Sequence, residues 1–271
     1  MQAMTRVLTD EQLASFQRDG FLIVKGLFTP EQIAELRDTF TTAGEMGEVP
    51  GLWSPNKASA DPLDHYPRMM HPHKQPQLPI GPLSMKFALD QKVGAILAEL
   101  MNDEPIMAQT MYYYKPAGSR GQSLHQDNFY LRVRPGTCMA AWLAVDRCDQ
   151  DNGALVVVPG THNDAIACPQ KADEKIFWST DHVPTPEGKS EQLCLMEAGD
   201  MLFFNGSIIH GSYPNTTQNR FRRSFITHYV PASCAEVSAW YRPLYRTNGE
   251  QVAIAEAVGG GPCGEEAKGP H

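Results

Sequence analysis

Two segments near the start of the 271-residue chain have apolar and polar positions spaced as in amphipathic helices. Residues 9–20, TDEQLASFQRDG, and residues 29–40, TPEQIAELRDTF, each open with a threonine that a glutamine follows three residues later, the pattern of a capping box. The second segment also carries Pro30 at the first helical position. Between them, GFLIVKGLF is short, rich in branched residues and bounded by glycines, which predicts a strand. The chain is therefore expected to open as helix, strand and helix.

The next segment, residues 47–83, is crowded with prolines, glycines and polar residues. Such a composition blocks regular elements, and a long loop in a compact domain is usually functional or disordered. Its aromatic and histidine content favours an ordered loop, a candidate lid, with His71 and His73 expected to be exposed. Residues 85–101, MKFALDQKVGAILAELM, then have helical spacing, and this helix is expected to end before Pro105.

From residue 106 onward the pattern changes to short apolar or alternating runs. Turn sequences such as DNGA, PGTHND and PNTTQN separate these runs, so each run is expected to form a strand. A series of such strands is typical of a β-sandwich or barrel. We find no internal repeat and no linker that divides the chain, so a single domain over residues 1–271 is expected.

Charge and cysteine content exclude several classes of protein. The chain has 23 basic and 31 acidic residues, a formal charge of -8, and no long basic block, so nucleic acid is not an expected partner. No apolar run approaches the roughly 20 residues that cross a bilayer, and the N-terminus lacks the apolar core of a signal peptide. The six cysteines form no CxxC pair, which is typical of reduced thiols. We therefore expect a cytoplasmic protein without membrane contact.

The segment SLHQDNFYL, residues 123–131, contains the first candidate chemistry. In a strand, His125 and Asp127 would project to one side and Gln126 to the other, so both could bind one ion. His210 lies further along, in MLFFNGSIIHGSYPN, also at the end of an apolar run. Two imidazoles and one carboxylate on one face of a metal, with other positions open, suit non-haem Fe(II).

Three arginines stand at the start of the last predicted strand, in NRFRRSFITHYV. A guanidinium is a planar fork that matches a carboxylate and stays charged at any working pH. An arginine one strand from the iron would suit the far carboxylate of a chelating co-substrate, which describes 2-oxoglutarate. Strand alternation sets Arg220 and Arg222 on the same side and Arg223 on the opposite one, so it does not choose between the first two.

The chain carries four motifs of one pattern: HQD at 125–127, NGALVVVPGTH at 152–162, GDMLFFNGSIIHGSYPN at 199–215 and RFRRS at 220–224. Together these motifs resemble the phytanoyl-CoA dioxygenase family of Fe(II)- and 2-oxoglutarate-dependent oxygenases. The resemblance covers roughly residues 8–232 and implies a mainly β fold with flanking helices around a cupin-like double-stranded β-helix, or jelly-roll. Within the single domain we expect a helical N-terminal part at about 8–104, the jelly-roll core at about 106–232 and a C-terminal extension at 233–271.

The resemblance implies a role for particular residues of this chain. It makes His125, Asp127 and His210 the catalytic metal ligands. It implies that 2-oxoglutarate is bound by Arg222, with Arg220 as the alternative anchor, and by Ser212, Gln109 and Trp142. Candidates for contact with the substrate are Tyr113, which shares strand parity with Gln109, and Asn128 and Phe129, which follow the metal ligands in sequence. His228 is interpreted as a packed strand histidine rather than a fourth ligand.

With Fe(II), 2-oxoglutarate and O₂ as cofactors, the implied activity is an oxidoreductase that hydroxylates an unactivated carbon and releases succinate and CO₂. Desaturation and ring closure stay open, as do the substrate and the oligomeric state. The absence of a basic patch for coenzyme A favours a small-molecule metabolite, selected by residues 47–83 and 163–192. One alternative is a cupin-type metalloenzyme that does not use 2-oxoglutarate, and another is a metal-free binding module.

Overall fold

The computed structural model describes residues 6–49, 52–66, 68–258 and 263–264. Its helices are α1 (Asp10–Asp19), α2 (Pro30–Glu45), α3 (Ile80–Ala88), α4 (Gln91–Met101) and α5 (Asn128–Leu131), with 3₁₀ turns at Pro62–His65, Pro72–Lys74, Thr161–Asn163 and Ala239–Tyr241. Its strands are β1 (Phe21–Val24), β2 (Arg68–Met70), β3 (Pro105–Tyr113), β4 (Gln122–His125), β5 (Met139–Ala144), β6 (Leu155–Val157), β7 (Gln170–Lys171), β8 (Asp181–His182), β9 (Gln192–Leu193), β10 (Met201–Asn205), β11 (His210–Ser212), β12 (Ser224–Pro231), β13 (Glu236–Val237), β14 (Leu244–Arg246), β15 (Gln251–Val252) and β16 (Ala255–Glu256).

The first two helices begin where their sequence signals place them. Thr9 and Gln12 exchange backbone and side-chain hydrogen bonds at the start of α1, and Thr29 and Gln32 do the same at the start of α2. The single helix expected over residues 85–101 is instead two helices. Asp90 separates them, because its side chain accepts a hydrogen bond from the first turn of α4 and caps that helix.

Two sheets enclose an apolar interior. The larger sheet has the order β1-β10-β5-β12-β3-β14-β15, with β2 added beside β3, and the smaller has the order β4-β11-β6-β9. Trp142, Leu202 and Ile226 of the larger sheet share a buried cluster with Leu155 and Val157 of the smaller one. The interior between the sheets is therefore packed from both sides, except where polar side chains converge.

The helices α1 to α4 cover the other face of the larger sheet. Along β10, Met201 and Phe203 pack with the helices, whereas Leu202 and Phe204 face the interior, as the period of two in a strand requires. Phe40 of α2 stacks on Tyr112 with ring centroids 4.0 Å apart. This arrangement agrees with the predicted class, mainly β with flanking helices, and leaves the inner face to the site. The division near residues 104 and 232 stays a prediction, and residues 259–262 and 265–271 of the expected C-terminal extension lie outside the described ranges.

None of the helices in the described ranges combines the length and the apolar character that a bilayer-spanning helix requires.

The expectation that all six cysteines are reduced is wrong. Cys168 and Cys263 form a disulfide, because the fold brings their Cα atoms to 5.6 Å although 95 residues separate them in sequence. The bridge fastens the C-terminal segment to the loop of residues 163–192. The cysteines without a bridge are all buried, namely Cys138, Cys148, Cys194 and Cys234.

His71 and His73 are buried, which contradicts the expectation that they are exposed. They follow β2 directly, and β2 pairs with β3, so the turn is drawn against the sheet. The His71 N–H donates to the carbonyl of Thr110 at 2.8 Å, and His73 Nδ1 lies 2.8 Å from Thr110 Oγ1. Burial, with a smaller effect from Lys74, lowers the pKa of His71 to about 2 and that of His73 to about 4. Both imidazoles are therefore neutral in the folded protein.

We expect the metal-free protein to lose stability between pH 7 and pH 5 because of these two histidines. A histidine whose folded pKa lies below its usual 6.5 takes up a proton more readily when unfolded, so its contribution is complete above pH 6.5 and is lost as the pH falls. At pH 5 this amounts to about 2 kcal/mol for each histidine. Urea unfolding at the two pH values measures it. The double variant His71→Gln, His73→Gln should show a flatter dependence, and an equally steep one would contradict the explanation.

Candidate metal centre

The two histidines of the predicted ligand set lie on neighbouring strands. His125 ends β4 and His210 begins β11, and the two are direct cross-strand partners, with ring centroids 4.2 Å apart. The strands approach closely at Gly211, where a Cβ would lie 2.8 Å from the carbonyl oxygen of Gln122 and 2.9 Å from that of Ser123. Glycine is required there, because any larger residue would push the two histidines apart.

Asp127 reaches the histidines by a route that strand alternation did not predict. The strand ends at His125, and Asp127 has helical dihedral angles, φ -60° and ψ -36°, immediately before α5. The Gln126 side chain turns away, as expected, and donates to the carbonyl of Ser207 at 2.6 Å. The turn places Asp127 Oδ1 3.5 Å from His125 Nε2 and 3.6 Å from His210 Nε2. The prediction that one strand carries both His125 and Asp127 is therefore wrong, although the two side chains converge.

The three side chains are arranged to present lone pairs to one point. All three are buried, and one ligand atom from each lies within 4.8 Å of the others. His125 Nδ1 lies 2.8 Å from the carbonyl of Ser123, and His210 Nδ1 lies 3.1 Å from the carbonyl of Ile208. Since a carbonyl only accepts, each Nδ1 carries the hydrogen and each Nε2 is the ring nitrogen with a lone pair that can bind a metal. This tautomer is the one that binds a metal through Nε2.

His228 of β12 holds the second oxygen of the carboxylate. Its Nε2 lies 3.0 Å from Asp127 Oδ2, which leaves Oδ1 directed at the two histidines. Burial by itself would raise the pKa of Asp127, but the nearby imidazoles of His210, His228 and His125 hold that pKa well below its usual value. His228 is a packed strand histidine, as predicted, and its contact with Asp127 is a role that the sequence analysis missed.

Arg222 lies at the other end of the same cavity. Its side chain is buried, and Nη1 donates to Ser224 Oγ at 3.0 Å. The guanidinium carbon lies 5.2 Å from the centre of the Trp142 ring. Its Nε is buried and has no hydrogen-bond partner among the described residues. Arg222 therefore has donor capacity that the protein itself does not use.

The other two arginines are engaged elsewhere. Arg220 binds Asp149 through two nitrogens, at 2.6 and 2.9 Å, and its side chain is 40% exposed. Arg223 binds Asp146 in the same way, with Nη2 at 2.7 Å and Nε at 2.8 Å. Of the three arginines, Arg222 is the one that lines the cavity.

Lys115 is a buried cation beside Arg222 that the sequence analysis missed. Its Nζ donates to Ser212 Oγ at 2.9 Å, and the Gln122 N–H also points to that oxygen at 3.4 Å. Ser212 thus accepts twice, which leaves its own hydrogen to donate. Burial, and then the charge of Arg222, hold the pKa of Lys115 well below its usual value. Neither Lys115 nor Arg222 forms an ion pair with a carboxylate in the described part of the chain.

The remaining predicted residues divide into two groups. Trp142 and Tyr113 line the cavity with the metal ligands, Ser212 and Arg222. Gln109 is buried on the face of β3 that also carries Tyr113, but it does not line the cavity. The Asn128 side chain accepts a hydrogen bond from the backbone of the loop after α5, and Phe129 packs on the neighbouring tyrosine ring. The functional roles of all these residues stay predictions.

Comparison with known proteins decides the family. The sequence model of the phytanoyl-CoA dioxygenase (PhyH) family matches residues 16–224, which is more than half of the chain. The chain belongs to the phytanoyl-CoA dioxygenase family. Family membership confirms the predicted resemblance and the predicted enzyme class, a 2-oxoglutarate-dependent dioxygenase.

Two curated members and one solved structure illustrate the likeness. Phytanoyl-CoA dioxygenase 1 of Oryza sativa subsp. japonica is 26% identical over 245 residues, which cover 77% of this chain and 84% of the relative. The human protein named "Phytanoyl-CoA dioxygenase, peroxisomal" is 28% identical over 240 residues, with 84% and 70% covered. The epimerase SnoN in complex with Fe³⁺, alpha ketoglutarate and nogalamycin RO superposes with a TM-score of 0.65 at 19% identity, with 93% and 95% covered. The structural likeness confirms the predicted fold with its jelly-roll core.

Proposed function

We propose that this member of the family binds Fe(II) through His125, Asp127 and His210, binds 2-oxoglutarate through Arg222, Ser212 and Lys115, and hydroxylates an unactivated carbon of a small-molecule metabolite. The observation that carries the proposal is one buried cavity lined both by three metal-ligating side chains and by Arg222, which has no carboxylate partner among the described residues. Lys115 reaches the same cavity through its hydrogen bond to Ser212.

The donor set fits ferrous iron. Two neutral imidazoles and one carboxylate bind one face of the ion and leave the other positions for exchangeable ligands. The fixed tautomers of His125 and His210 and the contact of His228 with Asp127 orient all three donors before the metal arrives. Binding iron would also offset part of the cost of burying these polar groups, since the ion would bind all three donors at once.

The part of the cavity at Arg222 and Ser212 fits the distal carboxylate of 2-oxoglutarate. A buried charge without a partner is costly. Arg222 lines the cavity and has no carboxylate partner among the described residues, and Lys115, which is buried next to the cavity, donates to Ser212 on its wall at 2.9 Å. A carboxylate there would accept from the Arg222 Nε–H and from the Ser212 O–H, and it would neutralise the repulsion between the two cations. An anionic ligand is the group that this arrangement lacks.

When bound, iron and 2-oxoglutarate would supply the means to reduce O₂, so that one oxygen atom enters succinate as 2-oxoglutarate loses CO₂ and the other enters the hydroxyl group of the substrate. The residues of the chain position the reactants and exclude water. Trp142, Leu155, Phe204 and Ile226 form apolar walls around the polar groups, and these walls strengthen every electrostatic contact inside. Desaturation or ring closure on the same centre is compatible with the same residues. We also propose that the protein is located in the cytoplasm.

The test is an anaerobic titration of the metal-free protein with Fe(II) and then with 2-oxoglutarate, followed by the visible charge-transfer band of the chelate. We expect the band in the wild type and in Arg220→Met, and we expect at least about a 100-fold weaker response to 2-oxoglutarate in Arg222→Met, since a buried hydrogen-bonded charge is lost. Arg220 is the matched control, because it is a neighbouring arginine held by Asp149 outside the cavity. Bound iron without a band in the wild type would favour the cupin-type metalloenzyme that does not use 2-oxoglutarate.

A further inference from the structure

A second cavity adjoins the metal centre. It has a volume of about 240 Å³ and shares Tyr113 with the cavity that holds the metal ligands. The Tyr113 hydroxyl lies 3.3 Å from the sulfur of Met111 on its own strand and 3.5 Å from the sulfur of Met70 on β2. The aromatic side chains of Trp53 and Tyr66 form part of its wall. A molecule in this cavity would therefore lie against the rings of Trp53 and Tyr66 and beside polar side chains, with one end at Tyr113, which also lines the cavity of the metal ligands.

Arg68 supplies the positive charge of this second cavity. It is the cross-strand partner of Tyr113, so the two side chains project from the same face of the sheet. Its guanidinium carbon lies 3.9 Å from the centre of the Trp178 ring, and the backbone N–H of Trp178 donates to the carbonyl of Gly121 at 2.9 Å. Arg68 belongs to residues 47–83 and Trp178 to residues 163–192, the two segments that the sequence analysis expected to select the substrate.

The acidic residues near Arg68 are bound to other groups. Asp61 pairs with Arg120 at 2.5 Å, and Asp64, which lines the cavity, accepts a hydrogen bond from Ser59 Oγ at 2.6 Å. Arg68 itself forms no ion pair with any carboxylate in the ranges that the structure describes. With its face stacked on an indole, the guanidinium keeps the N–H groups of its edge for another acceptor.

We propose that this second cavity is the substrate pocket and that Arg68 binds a carboxylate of the substrate, so that the substrate is a small carboxylic acid with an apolar body. The inference rests on the proposed function, because it uses the metal centre to define the reacting end. The planar edge of a guanidinium matches the two oxygens of a carboxylate. A volume of about 240 Å³ lies below the roughly 300–1,000 Å³ of sites for drug-sized ligands. The pocket therefore holds a small acid, and a coenzyme A thioester would have to leave its nucleotide outside.

The test measures calorimetric binding of phenylacetate, 3-phenylpropionate and octanoate, each compared with its neutral amide, to protein loaded with Fe(II) and saturated with 2-oxoglutarate without oxygen. We expect at least one acid to bind about 10- to 100-fold more tightly than its amide, as a hydrogen-bonded charge pair would give. Arg68→Gln should abolish that preference, and the exposed control Arg37→Gln, on α2, should retain it. Trp178→Leu, which removes the ring but keeps the charge, should weaken acid binding by a smaller factor.

Three results would overturn the proposal: no acid binding, equal binding of acid and amide, or an acid preference that survives in Arg68→Gln. A preference lost in Arg222→Met but kept in Arg68→Gln would place the acid in the co-substrate site and would also overturn it. Binding of 2-oxoglutarate is measured separately in Arg68→Gln, where we expect it to be unchanged. Failure of the proposed function would appear as a wild type that does not bind 2-oxoglutarate, which is distinct from the failure of the Arg68 contact.

Discussion

Replacing His210 by alanine is expected to abolish turnover while leaving the protein folded. His210 Nε2 is one of three donors to the candidate iron, and the backbone carbonyl of Ile208 holds its ring in place. Changing residues that only support a metal ligand typically lowers metal affinity or activity 10- to 100-fold, so loss of a ligand should reduce turnover by more than about 1,000-fold. The measurement combines succinate formation, the iron content of the purified protein and circular dichroism of the fold.

Two further histidine variants test whether the loss of turnover is specific to a metal ligand. His228→Gln removes the imidazole that holds Asp127 Oδ2 but no ligand, so we expect an intermediate loss of iron affinity, about 10- to 100-fold. His162→Ala removes a histidine outside the site, whose Nε2 lies 3.2 Å from the carbonyl of Gln17, and should behave as the wild type. Turnover by His210→Ala at the wild-type rate would refute the ligand set.

Replacing Lys115 by methionine is expected to change stability and co-substrate binding in opposite directions. The buried ammonium has no carboxylate partner in the described ranges and lies beside Arg222, so an apolar side chain of similar length should leave the metal-free protein equally stable or more stable. The same change removes a cation from the site proposed for the distal carboxylate. We expect the Kd for 2-oxoglutarate to rise about 10- to 100-fold. Thermal unfolding and the anaerobic titration measure the two effects.

Lys86→Met is the matched control for Lys115→Met. Lys86 is exposed on α3, where it forms a surface pair with Glu35 at 2.7 Å, and its replacement should change neither property appreciably. Unchanged affinity for 2-oxoglutarate in Lys115→Met would mean that Lys115 serves Ser212 alone. A large loss of stability in the same variant would mean that the lysine has a partner that offsets its burial.

Residues whose role depends on local pattern could be identified from the sequence. Thr9 with Gln12 and Thr29 with Gln32 start helices because a capping box is completed within four residues. Strand alternation also places two residues on the side of the site that were not assigned to it from the sequence. Lys115 continues the parity of Tyr113, and His228 continues that of Arg222, so each was already on the inward side.

The choice among the arginines required the fold. Arg220 and Arg222 have the same strand parity, so alternation could not separate them, and only the family resemblance favoured Arg222. Asp149 lies in a different loop, and the fold brings it to Arg220, which removes that arginine from the cavity. A similar reason explains His71 and His73, whose proline-rich surroundings indicated exposure, whereas the pairing of β2 with β3 buries both.

The sequence by itself determined the family, the elements with local start signals and the types of residue at the candidate metal centre. Short motifs such as HQD are enough to predict these properties, because each motif consists of residues that are neighbours in the sequence. Only the tertiary structure decided how Asp127 reaches the histidines, which cations have no carboxylate partner in the described ranges, and how Arg68 on β2 meets Trp178. These features depend on contacts between residues far apart in the chain, and such contacts form only when the sheets and loops have packed.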